Sequence, residues 1–363
     1  MITQKRNQLE QFVSHGQALF EGRDFEASYQ QLSLAVFLLE EEGALEWLGE
    51  EEGAKVYLLR GSALLHEHGD QAYHDPDLFQ QVLEDFETAI DLQPDQSTYY
   101  VLRGRLFLNC KYANYLFEAK SDFSQALGLQ PNDLTALKLM GDVLSRLGEY
   151  DRAIYYLSRV LEAQPDKEVY LLRGLSYFRQ SAPDLAAAAA DFGQAQQWFP
   201  RLEELYLWRA QCFQELGETQ AALEEYDRLL SFSTQKAGYY IDRGVIRAAS
   251  DPQGALDDYS KALALEAHPL AFNNRAVMLR QQGNYEAAIA DAQAALATDP
   301  TYSIAYATLA EIYAEIEERS AMYHYPQLAV KHYYEDPMRL LEEPVFKPYH
   351  QDEEFRVLLM PQK

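Results

Sequence analysis

The chain has 363 residues, 48% of them apolar, so it can build a large core and wholesale disorder is excluded. Lys and Arg number 31 against 57 Asp and Glu, a formal net charge of −26, and so acidic a surface repels nucleic-acid backbones and anionic membranes. Cys110 and Cys212 lie far apart with no CxxC spacing, which fits a reducing compartment without a disulfide framework or zinc ribbon.

In chain order, the N-terminus runs straight into a polar helical pattern. With no apolar signal core there and no window of about 18 uninterrupted apolar residues, a soluble cytoplasmic protein is expected. Phe12, Gly16, Gly22, Phe25 and Ala35 sketch a helical pair over residues 1–53. It ends in an acidic connection of Glu40, Glu41, Glu42, Glu46, Glu50, Glu51 and Glu52, with Trp47 as its apolar anchor. From residue 54 an aromatic is followed three positions later by Arg and then a small residue. Tyr57 leads to Arg60-Gly61, Tyr100 to Arg103-Gly104, Tyr170 to Arg173-Gly174, Tyr206 to Arg209-Ala210, Tyr240 to Arg243-Gly244 and Phe272 to Arg275-Ala276. Leu137, Met140 and Gly141 keep the spacing without the Arg. The copies recur every 32 to 37 residues, apart from one interval of 43 that holds an insertion, HEHGDQAYHDPD, at 66–77. The irregular spacing of His66, His68 and His74 is better explained by turn formation than by metal ligation.

This pattern resembles the tetratricopeptide repeat, a helix–turn–helix unit of about 34 residues. Residues 134–166 carry the match best, with Gly141, Gly148 before Tyr150, Ala153 and Pro165, and residues 272–300 carry it nearly as well. The resemblance implies an all-α fold, a right-handed α-α superhelical solenoid of stacked repeats over 54–318, after a degenerate repeat over 1–53. Beyond the last first-helix, around Tyr306, Ala310 and Tyr313, the period breaks. Residues 319–363 are then expected to form a C-terminal helical cap, with Leu341, Phe346, Phe355 and Leu358 covering the last repeat.

The repeated Arg looks like an anion-binding ladder, but the sequence argues for structure. Every copy that has the Arg has an acid in its second helix: Asp85, Asp122, Asp191, Glu225, Asp258 or Asp291. The copy with Met140 has Tyr156 instead, and the first copy has His15 with Gln31. Residues kept and lost together within one chain behave as an ion pair between antiparallel helices.

The resemblance also implies a groove lined by first helices, on whose wall Arg105, Asn109, Lys138, Asp142, Arg146 and Arg179 would lie. Four cations there suit an acidic segment or a C-terminal carboxylate, although Asp142 stands where a chaperone-binding carboxylate clamp would need Asn. Asn273, Val277 and Arg280, beside Ile241 and Val245, form a second, more apolar candidate. No GxSxG, phosphate-binding glycine loop or HExxH occurs. We therefore expect no enzyme, no cofactor and no metal, but a scaffold or adaptor that binds a partner peptide or protein, without nucleic acid or membrane, as a monomer or weak homodimer. The alternative is a chaperone-like or regulatory holder of a basic protein on the acidic outer surface.

Overall fold

The structure, a computed structural model, describes residues 2–41, 44–111, 114–332, 343–349 and 351–358. Among these residues the regular structure is entirely helical, and the chain divides into two compact units, the first ending at Trp198 and the second starting at Phe199. The first unit pairs α1 (Ile2–Glu21) with α2 (Phe25–Leu39) and, after the short α3 (Leu45–Leu48), α4 (Glu50–His68) with α5 (Pro76–Leu92). It continues with α6 (Ser97–Asn109) and α7 (Leu116–Leu129), α8 (Leu134–Arg146) and α9 (Tyr150–Ala163), and α10 (Lys167–Arg179) and α11 (Leu185–Ala195). In the second unit the pairs are α12 (Glu203–Glu215) with α13 (Thr219–Phe232), α14 (Ala237–Arg247) with α15 (Pro252–Leu265), α16 (Pro269–Gln281) with α17 (Tyr285–Thr298), and α18 (Ser303–Glu315) with α19 (Arg319–Lys331). A 3-10 turn, Pro344–Tyr349, and α20 (Glu353–Leu358) follow.

Local chemistry sets these boundaries. Carboxylates of Asp133 and Asp166 accept backbone N–H bonds at the starts of α8 and α10, and Asp75 does the same ahead of Pro76, satisfying donors that a helix start leaves open. Five hairpins turn through one motif. Gly148, Gly217 and Gly283 all sit at φ +77°, and the next residue's N–H reaches back five positions, as Glu149 does to Leu144 O at 2.9 Å. The first and last hairpins make the same turn with Arg23 at φ 62° and Glu317 at φ 59°, at a cost of about 1 kcal/mol each because a side chain crowds the left-handed region.

The Glu317 turn corrects the sequence reading. Residues 319–331 are not the start of an aperiodic tail: α19 packs on α18 as the second helix of a full hairpin, with Pro326 buried inside it. The repeat period therefore runs one helix past residue 318. Phe346 and Phe355 are fully buried against Ala307, Ala310, Ala314 and Met322. Leu341, and the side chain of Leu358, lie outside the described residues.

Each hairpin closes over its small residue. A Cβ built on Gly104 would stand 2.6 Å from the Phe123 ring, and one on Gly244 would stand 2.7 Å from Tyr259. The aromatic in each case follows the acid of the ladder directly, so the backbones approach closely where the ion pair forms. All six pairs exist. Arg60 lies 2.5 Å from Asp85, Arg103 2.7 Å from Asp122, Arg173 2.7 Å from Asp191, Arg209 2.8 Å from Glu225, Arg243 2.5 Å from Asp258 and Arg275 2.6 Å from Asp291. Burial pushes the carboxyls of Asp85, Asp122 and Asp191 up, against the pull of their arginines. Two-pronged geometry at these distances marks charged pairs. Where the Arg is absent, Met140 is buried in the apolar core.

The sequence does not reveal the arginines' second partner. Arg173 Nη1 donates to Ser158 Oγ at 3.0 Å, Arg243 Nη1 to Asp227 at 2.6 Å, and Arg275 Nη1 to Ser260 Oγ at 3.1 Å. Each acceptor belongs to the second helix of the preceding hairpin, two residues past the acid column. These three guanidiniums thus each tie three helices together, within a repeat and between repeats.

Candidate functional site

The proposed groove residues all fall in the first unit, on α6, α8 and α10, which are first helices. Arg105 is exposed on α6, and its backbone carbonyl accepts the Asn109 side-chain amide at 3.0 Å. The 66–77 insertion borders these two residues. It extends α4 to His68 and adds a 3-10 turn, Gly69–Tyr73, whose Tyr73 carbonyl accepts the Lys111 N–H at 2.9 Å. Burial raises the Tyr73 hydroxyl's pKa, while the Arg105 charge and a hydrogen bond with Asn109 oppose that rise. Two of the insertion's three histidines have structural tasks. His66 stacks on Phe25 with ring centroids 4.7 Å apart, and His74 Nδ1 pairs with the Asp70 carbonyl at 2.8 Å.

The four cations divide into two kinds. Lys138 lies 3.0 Å from Asp166 and 2.5 Å from Glu168, both from the next hairpin. Burial works against its charge, but these carboxylates outweigh it and hold its pKa above the ordinary lysine value. Arg146 forms a fork with Asp142 at 2.9 and 3.0 Å and donates to the Leu108 carbonyl at 3.3 Å, linking α8 to α6. Lys138 and Arg146 are therefore neutralised framework groups, with Asp142 as the counter-ion of one. Arg105 and Arg179 are exposed and have no ion-pair partner among the described residues. Arg105 and Lys138 share an open cleft of about 320 Å3 with Thr135, Gln164, Asp166 and Glu168. The sequence showed the cations of this wall and Asp142 four residues before Arg146, but not the acids that meet Lys138, because Asp166 and Glu168 lie nearly one repeat further along the chain.

The second candidate, in the second unit, is likewise divided. Val245 and Val277 line an open, largely apolar depression of about 530 Å3 with Tyr259, Asn274 and Met278. Ile241 is buried, Asn273 is buried and accepts from Thr308 Oγ1 at 2.9 Å, and Arg280 is engaged by Glu311. These three hold neighbouring hairpins together rather than facing solvent.

Elsewhere, Glu41 pairs with Lys5 at 2.6 Å, and Lys55 pairs with Glu51 and Glu52. Glu40, Glu46 and Glu50 are exposed without an ion pair among the described residues, which exclude Glu42. Trp47 is half-buried against the core beneath α2 and α4. Cys212 is buried, and its thiol is pushed up to about 11, chiefly by burial, which is the opposite of what a nucleophilic cysteine needs. Among the described residues no three His, Cys, Asp or Glu side chains converge as metal ligands would. Nor is any described helix long and apolar enough to cross a membrane.

Comparison with known proteins agrees with this architecture. One sequence profile of the tetratricopeptide repeat matches residues 269–302, and a second matches 118–168 and 138–197. Human tetratricopeptide repeat protein 13 is 25% identical over 188 residues, which is 50% of this chain but only 19% of the human protein. A solved tetratricopeptide fragment from Cytophaga hutchinsonii superposes with TM-score 0.53 at 16% identity, over 72% of this chain and 98% of the other. A tetratricopeptide repeat protein from Parabacteroides merdae gives TM-score 0.47 at 17% identity, over 75% of this chain and 99% of that one. The chain carries tetratricopeptide repeats, matched over 118–197 and 269–302.

Proposed function

We propose that this chain is a non-enzymatic adaptor that captures a segment of a partner protein on the first-helix wall of its first unit. The observation that carries the reading is the contrast among the cations. Lys138 and Arg146 are engaged by carboxylates, whereas Arg105 and Arg179 stand exposed on α6 and α10 without an ion pair among the described residues. Two open guanidiniums bind an acidic stretch or a terminal carboxylate through charge-assisted hydrogen bonds. Asn109 beside Arg105, its amide N–H groups turned to the Arg105 carbonyl and Tyr73, offers its carbonyl oxygen to a backbone N–H of the partner. Capture is reversible and non-covalent, with charge setting orientation and on-rate. The adaptor works in the cytoplasm as a monomer or weak homodimer, without a cofactor, metal or nucleic acid.

The test is affinity purification from the native host with three baits: the unaltered chain, an Arg105→Glu/Arg179→Glu variant, and a Glu50→Lys/Glu51→Lys variant. Loss of the principal partner in the first variant alone supports the reading. Loss in the second alone, or in neither, refutes it. Lys138→Glu is a poor probe, since it sets a third carboxylate against Asp166 and Glu168 and disturbs the stacking of α8 on α10.

A further inference from the structure

Relative to the acid column (Gln31, Asp85, Asp122 and Tyr156), the outward positions three and six residues further along can be compared across the first four hairpins. They hold Thr88 and Asp91 in α5, Gln125 and Gly128 in α7, and Arg159 and Glu162 in α9. In α2 the same positions hold Leu34, 45% exposed, and Phe37, 67% exposed. Their chain neighbours Val36, Leu38 and Leu39 are buried in the core, so the core is already filled and this pair is surplus to it. One helical turn separates Leu34 from Phe37, which gives α2 an outward apolar stripe where its counterparts are polar.

Charge is concentrated around that stripe. Residues 1–100 hold five Lys or Arg against twenty Asp or Glu, whereas residues 101–198 hold eleven of each. Glu26 lies toward one end of the stripe and Glu40 and Glu41 at the other, while Glu84, Glu87 and Asp91 are exposed on α5. The charge of Glu40 acts on Tyr57 of α4 and on Asp85 of α5, and Glu84 acts on Asp85 as well. The acids of the two helices therefore form one field. Among the described residues only Glu41 of this set has a salt-bridge partner, Lys5.

We propose that the outward face of α2 docks a lysine- or arginine-bearing amphipathic helix of a partner protein, seated on Leu34 and Phe37 and held by the carboxylates around them. Charge selects this occupant. A second copy of this chain would bring the same acids to the same face, and an anionic membrane would be repelled for the same reason. An apolar pair one turn apart matches the anchor spacing of a helix, and the acidic surround matches its polar flanks. The proposal gives a location to the sequence-level alternative of a basic partner on the outer surface. It does not rest on the groove.

The probe is a fluorescein-labelled 15-residue peptide of Lys and Leu with every Leu on one helical face. Its control has the same composition, scrambled so that no face is apolar. Anisotropy titrations use the full chain, a Leu34→Ser/Phe37→Ser variant and a Phe117→Ser variant, which removes an equally exposed aromatic (67%) from α7, with circular dichroism to verify the fold of each. The amphipathic peptide is expected to bind the unaltered chain and Phe117→Ser equally, and Leu34→Ser/Phe37→Ser at least about tenfold more weakly, as befits loss of a buried aromatic anchor. The scrambled peptide should bind more weakly than the ordered one and lose more of its affinity with added salt. Equal binding to the unaltered chain and the α2 variant overturns the proposal, as does equal affinity for the two peptides. Sedimentation of the chain with phosphatidylserine vesicles overturns it in favour of a lipid surface.

Discussion

Replacing Arg173 by Met removes the guanidinium that holds Asp191, whose side chain is only 5% exposed and accepts two charge-assisted hydrogen bonds of 2.7 and 2.8 Å. Breaking a buried pair from one side leaves an uncompensated charge at about 3–5 kcal/mol. Arg173 is itself 20% exposed, which places the expected cost near the lower end, about 3 kcal/mol. Arg243→Met should cost less, about 1.5–3 kcal/mol, because Arg247 remains 3.1 Å from Asp258. The chain also supplies its own control, since the hairpin of α8 and α9 has Met140 and Tyr156 where the others have Arg and an acid. Arg173→Met combined with Asp191→Tyr should therefore recover to within about 1.5 kcal/mol of the unaltered chain, as apolar replacement of a buried pair often does. Burial already holds the Asp191 pKa above the usual aspartate value in the fold, and without Arg173 nothing pulls it back. A carboxyl whose folded pKa is raised favours the fold below its unfolded pKa and disfavours it as pH rises through the folded value. The Arg173→Met penalty should accordingly grow between pH 4 and pH 8. Urea denaturation followed by far-UV circular dichroism at both pH values measures all of this. A single-variant cost below about 1 kcal/mol, or additivity in the double-mutant cycle, would refute the reasoning.

The close approach at Gly104 predicts that Gly104→Ala, whose Cβ would meet the Phe123 ring at 2.6 Å, destabilises by about 1–3 kcal/mol. Gly128→Ala, with nothing within 4 Å of its Cβ, should stabilise by about 0.5–1 kcal/mol, and thermal melts of the two variants decide this. In the second unit, hydrogen bonds first from Lys236, then from Tyr239 and Ser233, hold Glu203 down at about 2, against an ordinary 4.5. That lowered value gives stability present above pH 4.5 and lost as pH falls toward 2. Lys236 is 58% exposed, so solvent screening limits the effect to under about 1 kcal/mol. Glu203→Gln should flatten the acid limb of the pH–stability curve by that amount, and an unchanged limb would count against the assignment. Phe355→Ala opens a cavity against Phe346 and Met322 at about 3–5 kcal/mol. Hydrogen exchange should show faster opening of α18 and α19 before the rest of the second unit.

The ion-pair ladder was legible because Arg and acid sit in fixed columns and vanish together at Met140 and Tyr156. The turns were legible wherever the left-handed position is Gly, as at Gly148 and Gly283. Glu317 occupies that position at a conformational cost, and Pro326 sits inside the helix that follows, so both local signals pointed away from a final hairpin that tertiary packing nevertheless forms. The charge state of the candidate wall was not legible either. Asp166 caps α10 and reaches Lys138 at the same time, and nothing at residue 138 announces a partner 28 residues downstream. Local pattern identifies which side chains a first helix presents, whereas the stacking of the next hairpin decides which of them stay free.

Because the guanidiniums of Arg173, Arg243 and Arg275 also grip the helix before them, loss of any of those hairpins strips a hydrogen bond from its predecessor, and melting spreads backward across those seams. Met140 carries no such grip, and apolar packing of Leu137 and Met140 in one core with Phe123 ties α8 back to α7 instead. Cooperativity there passes through an unbroken apolar core, whereas at the α9–α10, α13–α14 and α15–α16 seams a directional bond adds to the packing and makes neighbouring hairpins fail together.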